Sequence, residues 1–323
     1  MPAERKAGYD HPYYEWSPLP TRPVLKWPND KRVALTVILS MDHYQWKPTN
    51  DFINGGLPGS QPEYAHKSTE APGGVSGGGR PFPDVIGFSI REYGTRVGIF
   101  RVLKILDKYN ITPTIAIDAF TAENYPYIVR LLKRRGCEFM AHGIAVNQMI
   151  TSKMTQQQER DYIRRSVDAV TKATGIKPRG WMGAEFGESE HTAAILASEG
   201  LSYNCDWPND DQPYPMKTPT GDLYSLPVNL TLVDLKTHWY GRIHIDTYAK
   251  MIMDSFDVIY KEGAKTGRMM VLNFQPWLMG TGFRSKYLDM ALGHICKHSD
   301  IWKTSAGEIV DYHRSQIKGS SHG

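Results

Sequence analysis

The segment Arg32–Ser40, RVALTVILS, constrains the fold more than any other part of the chain. It is apolar and β-branched, with no alternation of polar residues. A strand wetted on one side alternates with period two, whereas a continuous apolar run is covered on both faces. The sequence after it repeats that type of strand in alternation with helices. Arg96–Tyr109 reads as a helix with Ile99, Val102, Leu103 and Leu106 on one face, and ITPTIAI from Ile111 reads as a strand. Helices follow at Tyr125–Arg135, Thr155–Thr174, Glu190–Glu199, Ile245–Glu262, Ser285–His298 and about Ala306–Arg314. Between them lie short strands at Glu138–Ala141, up to Gly180–Trp181, at Leu201–Cys205 and at Met269–Asn273. Thr155 and Gln158 have the spacing of a capping box. Alternating β and α units make a parallel sheet covered by helices, an α/β fold.

Three segments fall outside that alternation. Residues 1–30 are rich in proline and aromatics, and X-Pro pairs keep such backbone extended, so they read as an arm. Residues 31–315 read as one domain, interrupted by a Gly-rich loop at about 46–84 whose composition suits no packed element. That loop is read either as a substrate-covering lid or as a plain insertion. Residues 316–323 form a polar, flexible tail.

Charge and cysteine usage narrow the function classes. The net charge of +4 comes from 38 basic and 34 acidic residues without a Lys/Arg-rich run, which leaves no footprint for nucleic acid. Three separated cysteines without a CxxC favour a reducing compartment over a disulfide framework. The first residues hold no apolar signal core, and no window reaches the apolar length of a membrane span. The expectation is a cytoplasmic protein without a membrane partner.

In barrels built this way, chemistry sits at the C-terminal ends of the strands. The first strand is followed by Asp42 and His43, a carboxylate beside an imidazole, suited either to acid–base work or to a turn cap and packing. EFMA is followed by His142 and Gly143, and the next strand by Trp181, Gly183 and Glu185. YNC leads to Asp206 and Trp207, and VLNF to Gln275 and Trp277. Glu92 and Arg96 precede the first helix, either as binding groups or as an ion pair at its start. The groups are carboxylate, imidazole and amide, and no GxSxG, P-loop or GxGxxG follows a strand. That set fits activation of water against a carbonyl.

The stretches WPNDKRVALTVILSMDH, REYGTRVGIFRVLKILDKYNITPTIAID, GCEFMAHG, PRGWMG, YNCDW and LNFQPWLMG resemble the polysaccharide deacetylase-like superfamily (carbohydrate esterase family four), and within it the allantoinase-like, cyclic-imide-hydrolase-like branch. The resemblance implies a distorted, incomplete (β/α) barrel of the NodB type. In metal-dependent members the first motif carries a base and then a metal ligand; Asp42 matches the base and His43 the ligand. His142 matches the first histidine of the second motif. Val146 stands where the second histidine belongs, and Gln275 replaces the last family histidine.

The resemblance therefore implies a hydrolase of carbon–nitrogen bonds in a small, cyclic amide: an imide, ureide or lactam. Asp42, His142 and Gln275 are its catalytic residues. Glu92, Arg96, Trp181, Glu185, Asp206, Trp207 and Trp277 are its substrate-binding residues, the tryptophans serving either as flat walls for a planar ring or as core. The cofactor is either none or one divalent metal such as Zn²⁺, held by His43, His142 and a third ligand still to be found. The alternatives are a metal-dependent de-N-acetylase of glycans and a ligand-binding pseudoenzyme. The partners are a small-molecule substrate and, by resemblance, further copies of the chain in a homotetramer.

Overall fold

Val33–Met41 forms the central strand, β1, and every residue of it is buried. The computed structural model describes residues 11–46 and 83–320. Within them the sheet continues through β2 (Thr114–Ile117), β3 (Phe139–Ala141), β4 (Gly180–Trp181), β5 (Tyr203–Asn204), β6 (Tyr214–Pro215), β7 (Tyr224–Ser225), β8 (Arg268–Phe274) and β9 (Ile301–Lys303). The strand order is β6-β7-β5-β4-β3-β2-β1-β8, with β9 paired to the start of β1. All pairings are parallel except β6 with β7. The sheet curls into an incomplete barrel. Its two edges approach where Met269 N donates to Asp211 O at 3.0 Å.

Period-two alternation divides the core. Val33, Leu35, Val37, Leu39 and Met41 face outward, against helices such as Ile99–Lys108 and Ile245–Glu262. Ala34 and Ile38 face inward, with Ala116, Met140, Tyr203, Met269 and Val271 from neighbouring strands. The Thr155–Gln158 capping box is present, and its helix runs Gln156–Thr174.

Local structure departs from the sequence reading in several places, including the short helices Ala119–Asn124 and Pro276–Met279. The first helical stretch begins at Val85, not Arg96: a helix at Val85–Tyr93 runs through a π-turn at Gly94–Gly98 into Ile99–Lys108. The Asp84 side chain caps it by accepting from Gly87 N. No residue of Val85–Tyr93 is fully buried, so its pattern carries little periodic signal. The short pairs β6, β7 and β9 take their conformation from the sheet edges they join, not from local propensity. The last helix extends to Ser320. The Gly-rich segment falls mostly in residues 47–82, outside the described residues.

The π-turn is pressed against the end of β8. A Cβ built on Gly98 would collide with the Pro276 carbonyl oxygen and lie 2.8 Å from its carbon. Neither backbone atom can swing away. Gly98→Ala is therefore expected to destabilise the protein by about 2 kcal/mol or more, read as a lowered urea midpoint with an unchanged slope.

Candidate active site

The sheet register assembles the site. Met41 pairs with Ile117, Ile117 with Ala141, and Ala141 with Trp181. The next residues, Asp42, Asp118, His142 and Met182, therefore stand in one row across four strand ends. The ladder continues through them: His142 N donates to Ile117 O at 3.1 Å and Met182 N to Ala141 O at 3.0 Å. Each of these residues follows an outward-facing one, so its side chain turns to the inside of the curl.

His142 is held from both sides. Nδ1 lies 2.6 Å from the Met182 carbonyl oxygen and Nε2 lies 3.1 Å from Asp42 Oδ1. A carbonyl only accepts, so Nδ1 carries a hydrogen. Nε2 then faces the carboxylate favourably only when a second proton lies between them. Burial alone pulls the imidazole down from its ordinary 6.5. The hydrogen bond and charge of Asp42, with the Met182 carbonyl and the charge of Asp118, outweigh it, and the net direction is up. The pair is a buried proton donor joined to a carboxylate.

Two further carboxylates frame this pair. Asp118 is fully buried and accepts from His43 N at 2.5 Å and Thr121 N at 2.7 Å. Burial, opposed by those two bonds and reinforced by the charge of Asp42, pushes it up to about 8. Asp234 accepts from Leu235 N at 2.7 Å and Gln275 N at 2.8 Å, and burial raises it well above the carboxylate range. Asp118 was legible as the acid ending ITPTIAID, by the same strand-end rule that selects Asp42. Asp234 lies between Leu230–Leu232 and Leu235–Tyr240, where no strand announces it.

A small cleft opens beside Asp42, lined by His43, Tyr44, Phe88, Arg91, Glu92, Thr95 and Tyr125. Helix Val85–Tyr93 thus forms one wall. His43 stacks on Phe120 with ring centroids 5.2 Å apart, and burial lowers its pKa, which keeps it neutral. Glu185 pairs with Lys236 at 2.6 Å. Glu185 and Phe186 both have left-handed backbone, φ 55° and 61°, an arrangement that costs energy outside glycine and concentrates at functional sites.

The other residues singled out from the sequence are spread more widely. Gln275 is buried at the end of β8, and among the described residues its Oε1 has no hydrogen-bond partner. Trp277 is buried against Trp239, with Arg91 over its ring at 5.3 Å. Trp181 does not face this space. It points outward, fully buried against Tyr162 in a separate core cluster, because it is one residue out of phase with Met182. Trp207 is covered by Tyr13 and Tyr14 of the N-terminal arm. Asp206 is buried and accepts from Gly183 N at 2.9 Å, which fixes the turn after Met182. Arg96 is exposed on the π-turn and is not among the residues lining the cleft.

The donor set does not fit a zinc centre with three protein ligands. Both nitrogens of His142 are engaged, and His43 is stacked on an aromatic ring. Val146 offers no donor atom, and the neighbouring Asn147 Oδ1 accepts from Gln45 N at 3.1 Å. Among the described residues no three His, Cys, Asp or Glu side chains converge as a metal site would require.

Residues 92–203 match the family described as polysaccharide deacetylase. A putative polysaccharide deacetylase of Schizosaccharomyces pombe is 25% identical over 320 residues, covering 91% of this chain and 92% of that protein. A peptidoglycan deacetylase of Helicobacter pylori is 27% identical over 268 residues, covering 72% and 89%. The solved structure of Puue allantoinase superposes with a TM-score of 0.77 at 25% identity, covering 91% of this chain and 94% of that one. The relatives named as deacetylases and the allantoinase are hydrolases of non-peptide amide bonds, and the fold is the incomplete barrel described above. Residues 92–203 of this chain thus resemble the polysaccharide deacetylase family, and the chain is a hydrolase of non-peptide amide bonds.

Proposed function

We propose that the chain hydrolyses a carbon–nitrogen bond in a small cyclic amide, with Asp42 as the base and His142 as the proton donor. The observation that carries this reading is the line from the Met182 carbonyl through His142 to Asp42. Asp42 borders the cleft, so its carboxylate takes a proton from water there. The water oxygen bonds to the amide carbon. His142 donates its Nε2 proton to the nitrogen as the carbon–nitrogen bond breaks, and the proton on Asp42 returns to His142. The Gln275 amide supplies a hydrogen bond to the developing oxyanion. Neutral His43 serves as an aromatic wall.

The test is a panel of cyclic imides, ureides and lactams set beside N-acetylated sugars, assayed before and after chelation. Turnover of a cyclic amide that survives chelation is the expected result. Its alkaline limb falls above the ordinary histidine value, because His142 must stay protonated and its pKa is raised. A second reading, metal-dependent de-N-acetylation of a glycan, is favoured by the similarity to the Helicobacter pylori peptidoglycan deacetylase, which extends over 89% of that protein. Turnover confined to N-acetylated sugars and abolished by chelation would establish it in place of the first.

A further inference from the structure

Arg91 has no part in the proton chemistry above, yet it is held in the wall of the cleft with unusual definition. Its guanidinium lies over the Tyr44 ring at 4.6 Å and the Trp277 ring at 5.3 Å. Nη1 donates to Gly87 O at 3.2 Å. Among the described residues its buried Nε has no hydrogen-bond partner. Two rings and one backbone bond fix the plane of the fork, so a ligand meets a preorganised donor. A buried donor left unbonded is costly and calls for an acceptor.

Glu92, the next residue, lines the same cleft, and its carboxylate takes no hydrogen bond from a described residue. Neighbouring residues on a helix diverge by about 100°, so the two side chains serve different parts of the wall. The cleft thus offers a charged donor and a charged acceptor beside the Asp42 base. Open-chain amides are trans, which sets their N–H and C=O on opposite sides. Closing an amide into a small ring forces it cis and brings both groups to one edge.

We propose that Arg91 and Glu92 recognise the cis-amide edge of a ring, Arg91 donating to a ring carbonyl and Glu92 accepting from the ring N–H. This rests on the reading of the cleft as an amide-hydrolase site and narrows it: the substrate is a cyclic amide whose ring nitrogen is unsubstituted.

The test uses the full chain with a five-membered cyclic imide and its N-methyl derivative. Arg91→Met is expected to raise KM for the imide about tenfold or more while kcat stays within about threefold, the pattern of a lost charged hydrogen bond. Glu92→Leu is expected to do the same. N-methylation is expected to weaken the wild type by a similar factor and to leave Glu92→Leu unaffected, because the acceptor is already gone. Unchanged KM in both variants, or equal handling of both rings by the wild type, overturns the inference. If Arg91→Met fails to fold, the N-methyl comparison between wild type and Glu92→Leu decides alone. Calorimetric binding separates the two readings. Wild type that binds the imide in an Arg91- and Glu92-dependent way without turning it over refutes the proposed hydrolysis and sustains the recognition pair. Wild type that neither binds nor hydrolyses it refutes both.

Discussion

Asp42→Asn should lower kcat/KM by about a thousandfold, with the fold intact. General base catalysis contributes typically about 10²–10⁴. Asparagine keeps the shape of the side chain, and its oxygen still accepts from His142 Nε2, at 3.1 Å in the wild type. It cannot take a proton from water. The substitution also removes the charge that raises the His142 pKa against the opposing pull of burial. The residual activity should therefore lose its alkaline limb at lower pH than wild type does, a shift readable by titrating the His142 ring in the NMR spectrum. A structural role for Asp42 would change stability and leave the pH profile in place. Retention of activity within tenfold would mean that the base lies elsewhere, with Asp118 the nearest candidate by position in the strand-end row.

How much of this was legible in the sequence follows the range of the forces involved. RVALTVILS announces a central strand because burial on both faces is written locally, and the helices Gln156–Thr174 and Ile245–Glu262 announce themselves through caps and apolar spacing. Asp42, His142 and Gln275 were legible as polar groups after apolar runs. The convergence of Asp42 and His142 was not, because it depends on the register Met41–Ile117–Ala141, which no single segment specifies. Trp181 shows the limit most clearly. From the sequence it is as eligible as Met182, but in a curled sheet one residue of phase separates the helix side from the inside. Arg91 and Asp234 were missed for related reasons. Arg91 lies in a helix without a fully buried residue, and Asp234 lies in a loop that reaches the site by tertiary packing against Gln275.

The second large effect concerns stability and pH. Several buried acids have raised pKa values, each driven first by burial: Asp118 to about 8, with Glu138, Glu188, Asp206 and Asp234. After burial, the charge and hydrogen bond of Glu188 raise Asp206, while the bond to Asp206 lowers Glu188. In the folded state these acids hold protons that the unfolded chain has already released above about pH 4. When the folded state binds more protons, stability falls as pH rises. His142, raised above 6.5 by the Asp42 pair, acts in the same direction: its contribution is full below the unfolded value and is lost as pH climbs through the folded one. His43 is lowered, and His313 is lowered to about 4, so both work the opposite way, but only below their unfolded value of 6.5. Above about pH 6.5 every shift named here has one sign. The unfolding free energy from urea titrations should therefore fall steadily from about pH 6.5 to about pH 9, with about 2 kcal/mol of the fall due to Asp118 alone. Asp118→Asn should be less stable at the acid end of this range, because its amide cannot accept from both His43 N and Thr121 N, and its pH slope should be shallower by that amount. A wild-type stability that is flat or rising across this window would show that the buried acids are ionised in the folded protein. The proton shared between His142 and Asp42 would then have to hold its place near uncompensated buried negative charges, an arrangement that burial strongly disfavours.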